Sequence, residues 1–335
     1  MKTIVKALLA GAAMMTATAA LAQETLVFAT TNPEQHPANQ GFLIPWAEKI
    51  NAEANGAVTI EVRHGPTIAN HNNFYDRVID DVIQIGWGLT VQNPGKFGPT
   101  LVATLPFVVD TAEQGSVAVC RMSEKGAFLP ALGDIVPLLW VEFPQASLHM
   151  NGSPVTSLDQ IAGKKIITTT PASAAIVAAY GGAPLSLGIT EMYEGLQRGT
   201  AEGTVINFTA FPGFRLNEVT TDHYVMPLGG AAGIVFMAKE KWDTLSPEAQ
   251  AAIMKHSGCE GSRAFGKFVD GWEASAMKMV ESGGKHTVTQ ATPEDIAAVR
   301  EKLLPAIEAG FAERAPGGAE LIKLFKEELA AAAAE

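Results

Sequence analysis

The chain has 335 residues, with 24 Lys plus Arg against 35 Asp plus Glu and a formal net charge of −11. No basic cluster offsets that acidic balance, and a phosphate backbone would repel it, so nucleic acid is excluded as the natural partner. Two cysteines, Cys120 and Cys259, are too few for a CxxC redox centre or a cysteine zinc site.

Residues 1–22 have the layout of a cleaved export signal. Lys2 and Lys6 give a positive start, Ala7 to Met15 a short apolar stretch, and Ala20-Leu21-Ala22 an A-x-A site before Gln23. As a membrane anchor the stretch is too short and is broken by Thr16 and Thr18. No Cys stands at the cleavage point for a lipid anchor. Removing the signal leaves 313 residues, with 22 basic against 35 acidic and a net charge near −13. That length suits two lobes of about 100–200 residues each.

TLVFATT (25–31) predicts the first strand. A helix follows over about 38–54, with Leu43, Trp46, Ala47 and Ile50 on one face and Gly56 as a stop. VTIEVRHG (58–65) alternates as a second strand, NNFYDRVIDD is helical, and VIQIGWG (82–88) is a buried strand. This β-α-β-α-β order predicts a parallel sheet with helices on its faces. ALGDIVPLLWVEF (131–143) and SLHMNGSPV (147–155) are expected strands leading into a second lobe.

The run from Gly163 to Asn207 is expected to form strand, helix, strand-like turn, helix, strand. HYVMPLG (223–229) and GIVFMAKE (233–240) are expected crossover strands. Ser246 as N-cap with Pro247 opens a helix, and a long helix follows to about Met279. HTVTQA is strand-like, TPED opens another capped helix, and EELAAAAAE is a helix end or a fraying terminus.

The motifs in this order resemble the periplasmic solute-binding proteins of tripartite ATP-independent (TRAP) transporters. Their pattern GKKIR, then GGxPxxxxxxExYxxLQxGxxDG, is similar to Gly163, Lys164, Lys165, Ile166, Gly181, Gly182, Pro184, Glu191, Tyr193, Leu196, Gln197, Gly199 and Gly203. PVTSLDQIAGKKI, WDTLSPEAQAAI and RHGPTIANHNNFYDRVIDDVIQIGWG followed by LPFVV extend the resemblance over 24 to about 310. It implies an α/β, two-lobed periplasmic binding protein (type II-like), each lobe a mixed β-sheet flanked by helices. The expected lobes are 23–146 plus about 232–275, and 147–231 plus about 276–312, hinged by crossover strands and a long helix, with 313–335 as a C-terminal helix or tail. It also implies a monomer that delivers a small organic solute to TRAP permease subunits driven by an ion gradient, with no cofactor.

One position departs from that pattern. The arginine that grips a ligand carboxylate in the family is Ile167 here. Isoleucine forms none of the paired charge-assisted hydrogen bonds of an arginine. The expected ligand is therefore an alcohol, amine, polyol or other neutral solute rather than a simple carboxylate. If a carboxylate is bound, His149 and Arg215 are the alternative donors; Lys165 shares Ile167's strand face but is expected to be solvated.

Trp87, between Gly86 and Gly88 at a strand end, is either a cleft wall or a plug of the lobe core. Asn207 is expected to contact ligand through its amide, with Ile206 one register away, and Phe208 either stacks on ligand or packs. His36, His71, Asn70 and Asn72 sit in strand-to-helix loops expected at the cleft end, as contacts or as solvated loop residues. Glu191 and Tyr193 fit a helix N-terminus. Asp76, Asp80 and Asp81 form a solvated helix face rather than a metal site.

No HExxH, GxSxG, P-loop or GxGxxG stands ahead of a helix, and the seven histidines lack paired metal-ligand spacing. The rival readings are the binding protein of an ATP-driven importer, a partner of a sensor, and an exported enzyme built from distant residues. For the cysteines, export allows a bridge, and two small buried hydrophobes are the alternative.

Overall fold

The computed structural model describes residues 24–335, so the expected export signal at 1–22 lies outside the described residues. Eleven strands are described: β1 (Glu24–Thr30), β2 (Val58–His64), β3 (Ile85–Leu89), β4 (Ile135–Phe143), β5 (Ser147–Met150), β6 (Lys165–Thr168), β7 (Ala183–Ser186), β8 (Gly203–Ile206), β9 (Asp222–Val225), β10 (Ala231–Ala238) and β11 (Thr287–Gln290). They form two mixed sheets, one ordered β2-β1-β3-β10-β4 and the other β11-β9-β5-β8-β6-β7. The chain changes sheet after β4, after β9 and again before β11.

The expected parallel start is present. β1 runs parallel to β2, pairing Leu26 with Ile60, and parallel to β3, pairing Ala29 with Gly86. β10 closes this sheet antiparallel to β3 and β4. Two hydrophobic clusters fill the space between sheets and helices; Phe28, Trp46, Trp87, Phe265 and Val235 belong to one, and Phe74, Phe97, Trp140 and Phe236 to the other.

Several local expectations shift. The strand expected from 131 starts at Ile135, because Leu129–Leu132 turns as a short helix opened by Pro130 and followed by Gly133. The strand expected over 147–155 ends at Met150, where Gly152 takes a positive φ of 70°. The expected strand-like turn at 183 is a true edge strand, β7, paired parallel to β6. A parallel partner is remote in sequence, so local pattern does not reveal it.

The helix caps follow the sequence. Ser246 accepts the Ala249 amide at 3.1 Å, and Thr292 with Asp295 forms a capping box on Pro293–Arg314. Gly258–Ser282 packs along β4 and along Ala112–Glu124, and the Cys120–Cys259 disulfide joins those two helices with Cα atoms 5.4 Å apart. The tail is an ordered helix, Gly318–Ala333, that buries Leu321, Ile322, Phe325 and Leu329 against Ala112–Glu124. Each such side chain contributes about 1.5–3 kcal/mol on burial. Glu335 then bonds Arg121 and Arg263. No helix among the described residues is long and apolar enough to cross a membrane.

Candidate functional site

Four strands from the two sheets end at one place. Asn32 lies just past β1, Leu89 ends β3, Thr169 follows β6 and Asn207 follows β8, and all four line one cavity. Carboxyl ends of parallel strands are where open α/β sheets gather ligands, because the chain there turns into loops and helix starts with free polar groups. His36, Trp87, Gln92, Phe143, Phe214 and Trp272 complete the principal walls. The cavity volume is about 50 Å³, room for a few waters.

Its lining contains no Lys, Arg, Asp or Glu. Its histidines are neutral as well. Burial lowers His36 to about 4, and burial with repulsion from His36 lowers His71 to about 3. The Ala38 amide donates to His36 Nδ1 at 3.3 Å, so the ring proton of neutral His36 sits on Nε2. That Nε2 is buried and has no partner. Trp87 Nε1 and Trp272 Nε1 are also buried without an acceptor. Three N–H donors on cavity walls are therefore unsatisfied. Burying such groups is costly unless something accepts from them, as a ligand would.

Local packing explains these placements. Trp87 lies over Gly233 of β10, where a Cβ would stand 2.4 Å from the indole ring. It touches Phe265 and Phe143 as well as the cavity, so wall and core plug are the same residue. The glycines beside it serve another purpose: a Cβ on Gly86 would meet Val78, and one on Gly88 would meet Phe74. They admit a helix, on the face opposite Trp87. His36 reaches across to Gly213 and Phe214, and a Cβ at Gly213 would come within 2.7 Å of its ring.

His71 lines the cavity with its hydrogen bonds already used. Its Nδ1 accepts the Leu89 amide at 3.0 Å, and its Nε2–H donates to Thr31 Oγ1 at 3.1 Å. Asn207 Oδ1 accepts the Thr209 hydroxyl. Glu273 on Gly258–Ser282 accepts the Phe208 amide at 3.0 Å and the Thr209 amide at 2.7 Å, and burial pushes its carboxyl up to about 7.

The remaining candidates do not line this cavity. Asn70 turns inward to its own loop, accepting the amides of Asn72 and Asn73, and Asn72 is exposed. Phe208 packs behind the wall against His149 and Phe211. His149 is buried in the second sheet, where Nε2–H donates to the Ile206 carbonyl at 2.9 Å. Its Nδ1 faces His223 Nδ1 at 2.8 Å, and His223 Nε2 faces His286 Nδ1 at 3.1 Å, so one directional chain runs from the surface to a cavity residue. Burial lowers His149 to about 4. Ile167 is wholly buried in the cluster that also contains Ile189 and Ile206. Arg215 is exposed, pairs with Glu218 and lies over Tyr193. Glu191 accepts the Gly188 amide at 3.1 Å, as a helix-start residue should.

Sequence reasoning missed Asn32, Gln92, Thr169, Phe214 and Trp272. Asn32 and Thr169 carried a usable signal, the position just past a predicted parallel strand. Trp272 and Phe214 carried none, since each belongs to a helix that only tertiary packing brings to the cleft. A wider groove of about 450 Å³, lined among others by Leu105, Ala172, Phe311 and Arg314, holds none of the unsatisfied buried polar atoms.

Comparison with known proteins agrees with this fold. The family model for bacterial extracellular solute-binding protein, family 7 (DctP), matches residues 28–314. The outer membrane transporter protein TsaT of Comamonas testosteroni is 24% identical over 317 residues, 92% of each chain. The fold is similar to that of a marine metagenome TRAP solute-binding protein from an unidentified microbe, specific for aromatic acid ligands and crystallised with 3-hydroxybenzoate (TM-score 0.86, 24% identity, 92% of this chain and 98% of that one). It is equally similar to a TRAP solute-binding protein from Rhodoferax ferrireducens with copurified benzoate (TM-score 0.86, 21% identity, 92% and 98%).

Proposed function

The chain belongs to the bacterial extracellular solute-binding proteins of family 7, and from that premise we propose that it captures a small organic solute between its two sheets and hands it to a TRAP-type permease driven by an ion gradient. Export through the signal at 1–22 would put it in the periplasm as a monomeric carrier that binds its solute without turning it over. Closure around the solute selects the form that touches both halves.

The observation that carries the ligand reading is the uncharged cavity with three buried N–H groups lacking acceptors. Such walls favour a compact ring-bearing solute whose acceptor atoms meet His36, Trp87 and Trp272, with Asn207 as a further donor. Ile167 stands where the resembling family has its carboxylate-binding arginine, and no cation lining the cavity replaces it. The preferred solute is therefore a neutral aromatic or alicyclic compound such as an alcohol. A second reading has support: two similar structures hold aromatic carboxylates, and neutral N–H donors also stabilise a carboxylate.

Calorimetry with 3-hydroxybenzyl alcohol and 3-hydroxybenzoate separates the two. Tighter binding of the alcohol supports the neutral-solute reading. Tight binding of the benzoate with none of the alcohol replaces it by the carboxylate reading. Conversion of either compound would end the carrier reading.

A further inference from the structure

We propose that His223 and His286 are positioning residues of the cavity wall: through His149 they fix the one N–H that holds the Ile206 carbonyl, and with it the strand end from which Asn207 turns. The inference rests on the reading of the cavity as the solute site and adds to it residues that do not line that site.

The register of the second sheet puts the three rings together. β5 runs antiparallel to β9 with His149 directly opposite His223. β11 runs parallel to β9 with Val288 opposite His223, so His286 stands just ahead of that position. Residues paired across neighbouring strands share a face of the sheet. His149 and His223 are wholly buried, and Phe208 and Phe211 each meet the His149 ring edge to face with centroids 4.8 Å away. His286 is only partly buried and stacks on His223 at 5.2 Å.

The hydrogen bonds leave these rings one set of proton positions. A neutral imidazole carries a single N–H, and its other nitrogen only accepts. A carbonyl oxygen also only accepts, so the 2.9 Å contact with Ile206 puts the His149 proton on Nε2. His149 Nδ1 is then an acceptor, and the 2.8 Å contact puts the His223 proton on Nδ1. His223 Nε2 is an acceptor in turn, and the 3.1 Å contact puts the His286 proton on Nδ1. Burial first, and then repulsion from His149 and His286, lowers His223 to about 2, and burial lowers His149 to about 4, so both rings are neutral at pH 7. Burial also lowers His286, with Asp222 acting against it and Lys285 with it.

Ile206 and Asn207 line the cavity, whereas none of these three histidines does. Reversing the chain would set two bare acceptors, His149 Nε2 and the Ile206 oxygen, against each other inside the sheet, and the strand end would have to move to separate them. The donor at His286 is what prevents the reversal, because it occupies the His223 nitrogen that would otherwise take the proton. A remote hydrogen bond of this kind sets the tautomer and orientation of the next histidine along, and here that histidine holds the wall.

Nuclear magnetic resonance of the mature chain with isotope-labelled histidine, and no solute added, reads the three proton positions. Wild type should show Nε2–H at His149 and Nδ1–H at His223 and His286. His286→Leu should give His149 a second, Nδ1–H form and shift the Asn207 amide signal. His286→Gln again offers an N–H and should restore the single form. Calorimetry with the tighter of 3-hydroxybenzyl alcohol and 3-hydroxybenzoate should show Kd raised about threefold in His286→Leu, within the worth of one hydrogen bond, and the wild-type Kd in His286→Gln. The proposal is overturned by Nδ1–H at His149 in the wild type. It is equally overturned by a His286→Leu variant whose Tm falls while the His149 form or Kd stays as in the wild type, as it would if the ring only filled space. A wild type that binds neither probe ends the reading of the cavity instead; the proton positions and the Asn207 amide then decide the chain on their own.

Discussion

His36 and Trp272 meet edge to face, with ring centroids 5.5 Å apart and planes at 87°. One ring comes from the loop after β1 and the other from Gly258–Ser282, and each presents a buried N–H that no protein atom accepts.

Trp272→Phe keeps an aromatic wall and removes one donor. For the tighter of the two probes, Kd should rise roughly 2- to 13-fold, the worth of one hydrogen bond. Calorimetry reads this directly, and an unchanged Kd would mean that the indole N–H does not meet the solute.

Ile167→Arg tests the proposal that Ile167 replaces the carboxylate-binding arginine of the resembling family. Its side chain would start from a wholly buried position among Ile189 and Ile206, so thermal stability should fall. Affinity for benzoate should nevertheless rise at least tenfold, through paired hydrogen bonds to the carboxylate. A folded variant with no gain would show that this position does not face the solute.

Glu142 is fully buried beneath Gly230, and burial, only partly offset by the Ala231 amide, holds its carboxyl well above the ordinary range. A raised folded value means that the folded state keeps its proton longer than the unfolded state. Its contribution is therefore lost as pH rises from the ordinary carboxylate range toward the folded value, by about 1.4 kcal/mol per unit. Glu142→Gln should be more stable than wild type at pH 8, with the gap closing toward pH 5. Urea titrations at the two pH values test it, and a gap that widens in acid would refute the sign.

The buried histidines act in the opposite sense. His36 and His149 lie at about 4 when folded, against an ordinary value of 6.5. The unfolded chain binds more protons between those values, so each costs stability as pH falls through that window, at about 1.4 kcal/mol per unit. Replacing His149 by Gln should flatten the fall in urea midpoint between pH 6.5 and 4.5 by one histidine's share. An unaltered slope would show that His149 is not neutral in the folded state.

The Cys120–Cys259 bond closes a sequence separation of 139 residues. Reduction should lower stability by roughly 2–5 kcal/mol, mostly by freeing the unfolded chain. Denaturation with and without a thiol reductant measures the loss, and equal midpoints would contradict it.

The first three strands and their parallel run were legible in the chain itself, because alternation in TLVFATT and VTIEVRHG and the buried run before Trp87 are local signals; that β10 enters antiparallel between β3 and β4 was not. The caps at Ser246 and Thr292 were legible for the same reason: each is a contact within one turn. His36, His71, Trp87 and Asn207 were named from their places near strand ends, and the structure brings those four to one cavity. Only the tertiary structure decided that Trp272 and Phe214 join them, and that Phe208 and His149 turn away behind the wall. Those outcomes depend on how distant helices dock onto the two sheets. Docking is set by the shape of both partners together, which no single stretch of sequence contains.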